Sequence, residues 1–109
     1  MKSTKIIISK EFSVIPLGRY LTDGPNSGER FRKDYLVPAL RDYECVEVDL
    51  DGTRGYGSSF LDEAFGGLVR DEGIEKGELK KKLRIKTQFE SLIKEIMGYI
   101  EESEYKQNE

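Results

Sequence analysis

Residues 46–68, VEVDLDGTRGYGSSFLDEAFGGL, read as a strand, a glycine-rich loop and a helix in succession. Two β-branched valines at the start favour a pleated strand, which is predicted over 45–50. Three glycines in the loop over 51–57 allow backbone conformations that other residues resist. Apolar residues then recur at the spacing of one helical face, which predicts a helix over 59–72 that ends at Gly73. The rest of the chain is expected to pack against this unit.

Composition limits what the chain can do. Its 109 residues have the length of one domain, predicted over 1–103 and followed by a polar tail over 104–109. The net charge of −3 provides no basic field to attract nucleic acid or an anionic membrane. The chain has no histidine, and its one cysteine, Cys45, has no partner for an internal disulfide. No apolar run has membrane-spanning length, so we expect a cytoplasmic protein.

Three further strands are predicted, over 4–9, 19–22 and 83–86. The charged run over 75–82 is predicted to be a connection. Strands that alternate with helices predict an α/β fold, here a small mixed, partly parallel sheet of about four strands with three helices. A chain of this length is expected to have elements on both faces of the sheet.

Two further helices complete the predicted order of elements. The first is expected to begin after an N-cap at Asn26 or Ser27 and to be interrupted at Pro38. The last helix is predicted from a capping box formed by Thr87 and Glu90, followed by an apolar stripe over 89–100.

Ser58 and Ser59 stand at the predicted start of the central helix. Ser59 followed by Asp62 has the pattern of an N-cap, in which the serine hydroxyl accepts a backbone N–H. A hydroxyl beside a helix N-terminus is also exposed and lies in positive potential, where a phosphate would be accommodated and would change the surface charge by roughly two units. The two interpretations are compatible. Ser59 is therefore the first candidate phosphoacceptor and Ser58 the second.

The passage from a strand that ends in Asp-Leu, through Gly57-Ser58-Ser59-Phe60-Leu61, into a helix resembles STAS domains, the fold of anti-anti-sigma factors. Those proteins carry a D-S-S/T-G-L segment between a strand and a helix, and a partner kinase phosphorylates the second hydroxyl residue. Ser59 corresponds to that residue, whereas Gly57 stands in place of Asp and Phe60 in place of Gly. The uncharacterised STAS-like branch is more similar still, with the form S-F-L-D-E-x-F-G-G-L at this point.

The resemblance covers roughly residues 4–100 and implies a regulatory protein–protein interaction module rather than an enzyme. The STAS-like branch often lies beside, or is fused to, an ATP-binding domain of the histidine-kinase type. The implied partner is therefore a histidine-kinase-type ATPase that resembles an anti-sigma kinase, with no cofactor, metal ligand or catalytic residue in this chain. The expected partner-binding loop consists of Asp49, Asp51, Gly52, Gly55, Tyr56 and Gly57.

Residues 49–53, DLDGT, also have the form of the D-x-D-G-T box of haloacid-dehalogenase-type phosphatases. In that family the first Asp is the nucleophile and the second a general acid/base. Two carboxylates at a strand end suit Mg²⁺-assisted phosphoryl transfer. That fold, however, needs further strands with a Ser/Thr, a Lys and an acidic pair, and 58 residues follow Asp51. A small phosphatase-like enzyme is the alternative function, and a tight turn with solvated carboxylates is the plainer interpretation.

Two further patterns point to other ligands. Glycines beside a helix N-terminus suit phosphates, so a nucleotide-binding module is another alternative, although no Walker or dinucleotide fingerprint is present. A basic run could contact nucleic acid or an acidic partner; it consists of Lys76, Lys80, Lys81, Lys82, Arg84 and Lys86. Two glutamates interrupt this run and no aromatic residue is nearby to stack on bases, which predicts a solvated segment without a nucleic-acid partner.

Overall fold

The computed structural model describes residues 2–106. Three strands, β1 (Ser3–Ile7), β2 (Cys45–Asp49) and β3 (Leu83–Lys86), form a parallel sheet in the order β1-β2-β3. The α/β fold is confirmed. Among the described residues, however, the sheet is wholly parallel with three strands, whereas a mixed sheet of about four was predicted.

The described residues contain four helices rather than the predicted three. Helix α1 covers 28–42 as Gly28–Phe31, the π-helical stretch Arg32–Leu36 and Val37–Asp42. Helix α2 covers 58–70 as Ser58–Leu61, the π-helical stretch Asp62–Gly66 and Gly67–Arg70. Helices α3 and α4 are Lys76–Lys82 and Glu90–Glu102. A π-helical turn, Ile8–Phe12, follows β1, and a 3-10 turn forms at Leu21–Asp23.

The strand predicted over 19–22 is wrong because the Asp23 carboxylate closes this segment into a turn. Its Oδ2 atom accepts hydrogen bonds from the backbone N–H groups of Arg19, at 3.1 Å, and Tyr20, at 2.8 Å. Gly18 and Gly24 flank the turn with φ of +95° and +135°. Backbone groups bound in this way are not available to a sheet.

The connection predicted over 75–82 is also wrong in its greater part, since 76–82 is helix α3. Leu79 is only 1 % exposed and packs in the main core, while Lys80 and Lys81 beside it are exposed. One apolar side chain in seven residues is too weak a pattern to indicate a helix. Burial of this leucine decides the structure of the segment.

The strand register makes the two faces of the sheet unlike each other. One face carries the core side chains of the strands, none of them more than 8 % exposed: Ile6, Val46, Val48 and Leu83. They pack with apolar side chains from all four helices. The other face carries side chains that are exposed or half-buried: Ser3, Lys5, Ile7, Cys45, Glu47, Asp49, Arg84 and Lys86. The expectation of elements on both faces is therefore wrong. Crossovers between parallel strands share one hand, which places successive helices on the same face when the strands follow chain order.

The start and interior of α1 agree with the N-cap and the interruption that were predicted from the sequence. Ser27 is the N-cap, and its Oγ accepts a hydrogen bond from the Arg30 backbone N–H at 3.2 Å. The interruption expected at Pro38 takes the form of the π-helical stretch that ends just before it. Proline has no N–H to donate, so a local change in helical hydrogen bonding before it is expected.

The capping box predicted for α4 is wrong. Phe89 is the N-cap and makes no side-chain cap hydrogen bond. The Thr87 hydroxyl instead donates to Asp51 Oδ1 at 3.0 Å and accepts from the Phe89 backbone N–H at 3.1 Å. Of the predicted apolar stripe, Ile96 and Ile100 are fully buried, whereas Phe89 is 56 % exposed.

The carboxyl-terminal ends of helices α2 and α4 lie close together. Helix α2 ends at Arg70, and the chain then turns at Gly73, whose φ of +71° agrees with its predicted role. The backbone N–H of Lys106 donates to the Arg70 carbonyl at 2.9 Å, which holds the chain after α4 against α2. Residues 107–109 of the predicted tail lie outside the described residues. No helix within 2–106 is both long enough and apolar enough to cross a membrane.

Candidate functional site

The carboxyl ends of parallel strands meet at one edge of a sheet, which is where open α/β folds usually bind their ligands. Three connections leave the strands here, over 8–27, 50–57 and 87–89. The Arg54 backbone N–H donates to the Val14 carbonyl at 2.9 Å, which joins the first connection to the second. The Thr87 hydroxyl joins the third to the second through Asp51. We name these connections, together with Ser58 and Ser59 in the first turn of α2, the carboxyl rim.

Large apolar side chains are exposed on the carboxyl rim. Within residues 2–106, seven large apolar side chains are exposed by 46–64 %. Six of the seven belong to the rim: Val14, Ile15, Leu17, Tyr20, Leu21 and Phe89. The seventh, Tyr105, follows α4. The six side chains lie on two of the three connections of the rim, and exposed large apolar side chains are candidates for contact with another molecule.

Asp49 and Asp51 join the strand ends. The Asp49 Oδ1 atom accepts a hydrogen bond from the Asp51 backbone N–H at 3.0 Å, and Oδ2 lies 3.5 Å from Lys86 Nζ. Asp51 Oδ1 accepts from the Thr87 hydroxyl at 3.0 Å and from the Gln88 backbone N–H at 3.2 Å. Through these contacts, both carboxylates stabilise the turn that follows β2. Within residues 2–106, no group of three or more cysteine, aspartate or glutamate side chains could hold a metal ion.

The glycines of the predicted partner-binding loop have different roles. Gly52 has a φ of +93°, and an added Cβ would lie 2.7 Å from Ser9 Oγ, so this residue permits close contact with the turn after β1. Gly55 has a φ of +129° and faces open space. Gly57 has no neighbour within reach of a Cβ and an ordinary extended φ of −78°. The loop therefore depends on glycine at 52 and 55 for its backbone conformation.

Tyr56 supports the loop from inside. Its hydroxyl donates to the Leu50 carbonyl at 2.6 Å, and its ring centroid lies 5.9 Å from that of Phe60. Burial raises the pKa of Tyr56 to about 12, so the hydroxyl stays protonated as a donor. A cavity of about 290 Å³ lies between this loop and the start of α4, where Phe89 and Leu92 line it. That volume is at the lower limit for a small-molecule site.

Ser58 and Ser59 are exposed and are the first two residues of α2. The predicted N-cap at Ser59 is wrong, because the N-cap is Gly57. The Gly57 carbonyl accepts the first helical hydrogen bond, from the Leu61 backbone N–H at 3.2 Å, so the helix begins at Ser58, the earlier of the two starts, Ser58 or Ser59, that the sequence predicts. Both hydroxyls thereby remain on the surface of the first turn.

The two serines have different neighbours. Tyr99 of α4 donates a hydrogen bond to Glu95 at 2.5 Å, and this bond chiefly raises the pKa of Tyr99 to about 12. Ser58 acts on that pKa in the opposite direction, which places Ser58 near Tyr99. Ser59 is exposed and lies one helical turn before both Asp62 and Glu63. A negative charge would thus meet different groups at the two positions.

A cluster of ion pairs that the sequence analysis missed follows the first turn of α2. Arg32, only 2 % exposed, donates from Nη1 to the Glu63 carbonyl at 2.6 Å and to Glu63 Oε2 at 2.8 Å. Its Nε donates to Glu72 Oε2 at 2.9 Å. A Cβ at Gly67 would overlap the Arg32 guanidinium. The adjacent glycines in EAFGGL were the one available signal, since glycine inside a helix often marks a close approach.

Asp62 links this cluster to the carboxyl rim. Its carboxylate accepts hydrogen bonds from Arg19 Nη1 at 2.9 Å and from Arg70 Nη1 at 2.8 Å. Burial alone would raise the pKa of Asp62, but the hydrogen bonds from Arg70 and Arg19 outweigh it and hold the pKa below its ordinary value. Arg70 also donates to the buried Ser103 hydroxyl at 2.8 Å. The first connection, α2 and the end of α4 are therefore joined through one carboxylate.

Comparison with known families agrees with the resemblance in the sequence. A family model described as a STAS-like domain of unknown function (DUF4325) matches residues 27–88. The match begins at the N-cap of α1 and includes β2, the loop over 50–57, both serines and β3. No curated protein and no solved structure matches the chain. Because the match covers more than half of the 109 residues, the chain belongs to the family of STAS-like domains of unknown function.

Proposed function

We propose that this STAS-like domain is a regulatory protein–protein interaction module that docks through the carboxyl rim. The observation that carries the proposal is the exposure of six large apolar side chains on the rim that also contains Ser58 and Ser59. An enzyme or nucleotide site would instead need a polar pocket with converging catalytic or phosphate-binding groups. The exposed apolar surface favours a protein partner.

The partner we propose is a histidine-kinase-type ATPase in the cytoplasm. The support for it is the resemblance of 57–61 to the phosphorylated segment of anti-anti-sigma factors, together with membership of the STAS-like family. In the proposed switch, Ser59 Oγ attacks the terminal phosphorus of ATP. A P–Oγ bond forms, the bond between that phosphorus and the ADP oxygen breaks, the hydroxyl proton leaves to solvent, and ADP is released.

Phosphorylation at Ser59 should weaken docking without unfolding the domain. The helix dipole and the free N–H groups of the first turn accommodate negative charge at this end of α2. Burying a dianion in an apolar contact surface without a cation from the partner is unfavourable. The phosphorylated domain is therefore the form with lower affinity.

A binding titration against a histidine-kinase-type ATPase tests the proposal. Ser59→Ala should bind as tightly as the parent, whereas Ser59→Asp should bind at least about tenfold more weakly, roughly 1.4 kcal/mol. Ser58→Ala is the matched control and should retain both binding and phosphorylation. Mass spectrometry after incubation with ATP should find phosphate on Ser59. If phosphate never appears there and Ser59→Asp binds like the parent, the proposed switch is wrong.

We also propose that the domain has no phosphatase activity. Asp49 and Asp51 are held by Lys86, Thr87 and backbone N–H groups, which supports a structural role for both. The test is an assay of generic phosphomonoesters with Mg²⁺, in which the parent and Asp49→Asn should both show only background hydrolysis. Hydrolysis by the parent that disappears in Asp49→Asn would favour the enzyme interpretation.

A further inference from the structure

Three arginines bind Asp62 and Glu63, and they differ in their freedom to move. Arg32 and Arg70 have side chains that are 2 % and 21 % exposed, whereas the side chain of Arg19 is 30 % exposed. Arg32 is also tied to Glu72 and a carbonyl, and Arg70 to Ser103. Arg19 comes from the carboxyl rim, and the hydrogen bonds of its guanidinium within residues 2–106 go to the two carboxylates, at 2.9 Å and 3.4 Å. It is the arginine that can leave most easily.

The position of Ser59 places it close to this arginine. Residues three and four apart on a helix are surface neighbours, so Ser59 lies one turn before both Asp62 and Glu63. One turn rises by roughly 5 Å, which an arginine side chain spans easily. Arg19 Nη1 bridges the two carboxylates on the same side of α2. A phosphate on Ser59 would therefore lie within about one helical turn of the two carboxylates that Arg19 binds.

Neither carboxylate would be left without a cation if Arg19 moved. Asp62 would keep Arg70 at 2.8 Å, and Glu63 would keep Arg32 at 2.8 Å. A phosphate carries about twice the charge of a carboxylate and forms bidentate hydrogen bonds with guanidinium, so the exchange is favourable for Arg19. A guanidinium beside the phosphate would also screen the repulsion between the phosphate and the carboxylates of Asp62 and Glu63.

We propose that Arg19 recognises phosphate on Ser59, by exchanging its ion pairs with Asp62 and Glu63 for a pair with the phosphate. This inference deepens the proposed function and rests on its assignment of Ser59 as the modified residue. Arg19 is followed directly by the exposed Tyr20 and Leu21. The exchange would thus alter the carboxyl rim in shape as well as in charge, while α2 stays helical.

The experiment uses the full chain with phosphoserine installed at position 59 during synthesis, so that no kinase is needed. A ³¹P NMR titration measures the second pKa of the phosphate in the parent and in Arg19→Gln. A neighbouring guanidinium favours the dianion, so the pKa should be lower in the parent by roughly half a unit or more. The matched control carries phosphoserine at position 58, near Tyr99 and one turn before Asp62 but not Glu63, and its pKa should depend less on Arg19 than the pKa at position 59 does.

Equal phosphate pKa values at position 59 with and without Arg19 would overturn the inference, as would an equal dependence on Arg19 at positions 58 and 59. Thermal unfolding of the unmodified Arg19→Gln domain checks that the comparison is made between folded proteins. The result of the ³¹P NMR titration does not depend on the binding titration. If the ATPase fails to phosphorylate or bind the domain, the proposed function fails while the recognition of phosphate by Arg19 is still measured.

Discussion

The interface between α1 and α2 and the carboxyl rim use the same helix in opposite ways. In the interface, Gly28 and Gly67 bring the helices close, and the charged Arg32 is only 2 % exposed. On the rim, six large apolar side chains are at least 46 % exposed. A charged group is buried where its partners are complete, and apolar groups are exposed where no partner from the same chain covers them. The middle of α2 and the buried residues of its first turn therefore contribute to stability, whereas the exposed Ser58 and Ser59 are available for contact and modification.

The interface is also where both helices depart from α-helical geometry. The π-helical stretches Arg32–Leu36 and Asp62–Gly66 face each other across it. Within the described residues, no buried side-chain nitrogen or oxygen lacks a hydrogen-bond partner. Extra residues in a helical turn change the direction of the side chains that follow. Here the wider turns coincide with a complete set of bonds around Arg32.

The largest expected effect comes from breaking the buried ion pair. Arg32→Met leaves Glu63, itself 5 % exposed, without its closest cation, and should lower the free energy of unfolding by about 3–5 kcal/mol. Chemical denaturation measures this loss. Arg41→Met is the matched control, because Arg41 and Asp42 are 68 % and 55 % exposed, and it should leave stability unchanged. Equal effects of the two substitutions would contradict the distinction between interface and surface.

The close approach of the helices is tested by adding one methyl group. A Cβ at Gly28 would overlap the Phe60 carbonyl oxygen of α2, so Gly28→Ala should lower the free energy of unfolding by about 1–3 kcal/mol. Gly98→Ala in α4 is the matched control, with no atom within 4 Å of the added methyl group. It should raise stability by about 0.5–1 kcal/mol through helix propensity. If both variants have a higher melting temperature than the parent, the close approach of α1 and α2 at Gly28 is wrong.

The smallest expected effect belongs to the rim. Ser59→Asp should change the free energy of unfolding by less than about 0.5 kcal/mol, because a carboxylate in the first turn suits the helix dipole and the serine is exposed. The same denaturation experiment measures it, alongside the binding titration. A loss comparable to that of Arg32→Met would show that Ser59 is part of the packed interface.

The elements with a repeated local pattern were predictable from the sequence. The valines of β2, the isoleucines of β1, the Ser27 cap and the helical spacing after Gly57 all mark the structure that forms. The STAS-like resemblance of the segment around Ser58 and Ser59 was likewise present in local residues, and the family match confirms it. The carboxyl edge of the sheet was not predicted as the place of the candidate site; it follows from the parallel direction of the three strands.

The segments whose structure was predicted wrongly are those that a residue from another part of the chain helps to shape. Thr87 forms a capping box with Glu90 in the sequence pattern, but in the fold its hydroxyl donates to Asp51, 36 residues earlier in the chain. Helix α3 depends on the burial of Leu79 against a core that its own sequence does not contain. The segment over 19–22 is turned by Asp23 and is held against α1 by a hydrogen bond from the Glu29 backbone N–H to the Arg19 carbonyl, at 3.0 Å.

The sequence by itself determined the α/β class, the strand–loop–helix unit around the two serines, and the family. These depend on backbone propensity, on the period of apolar residues and on glycines, which act within a few residues of one another. Only the tertiary structure decided that Arg32 is buried and that Arg19 lies beside Asp62 and Glu63. Those outcomes depend on charges and close approaches between residues about 30 to 45 positions apart, which no local pattern records.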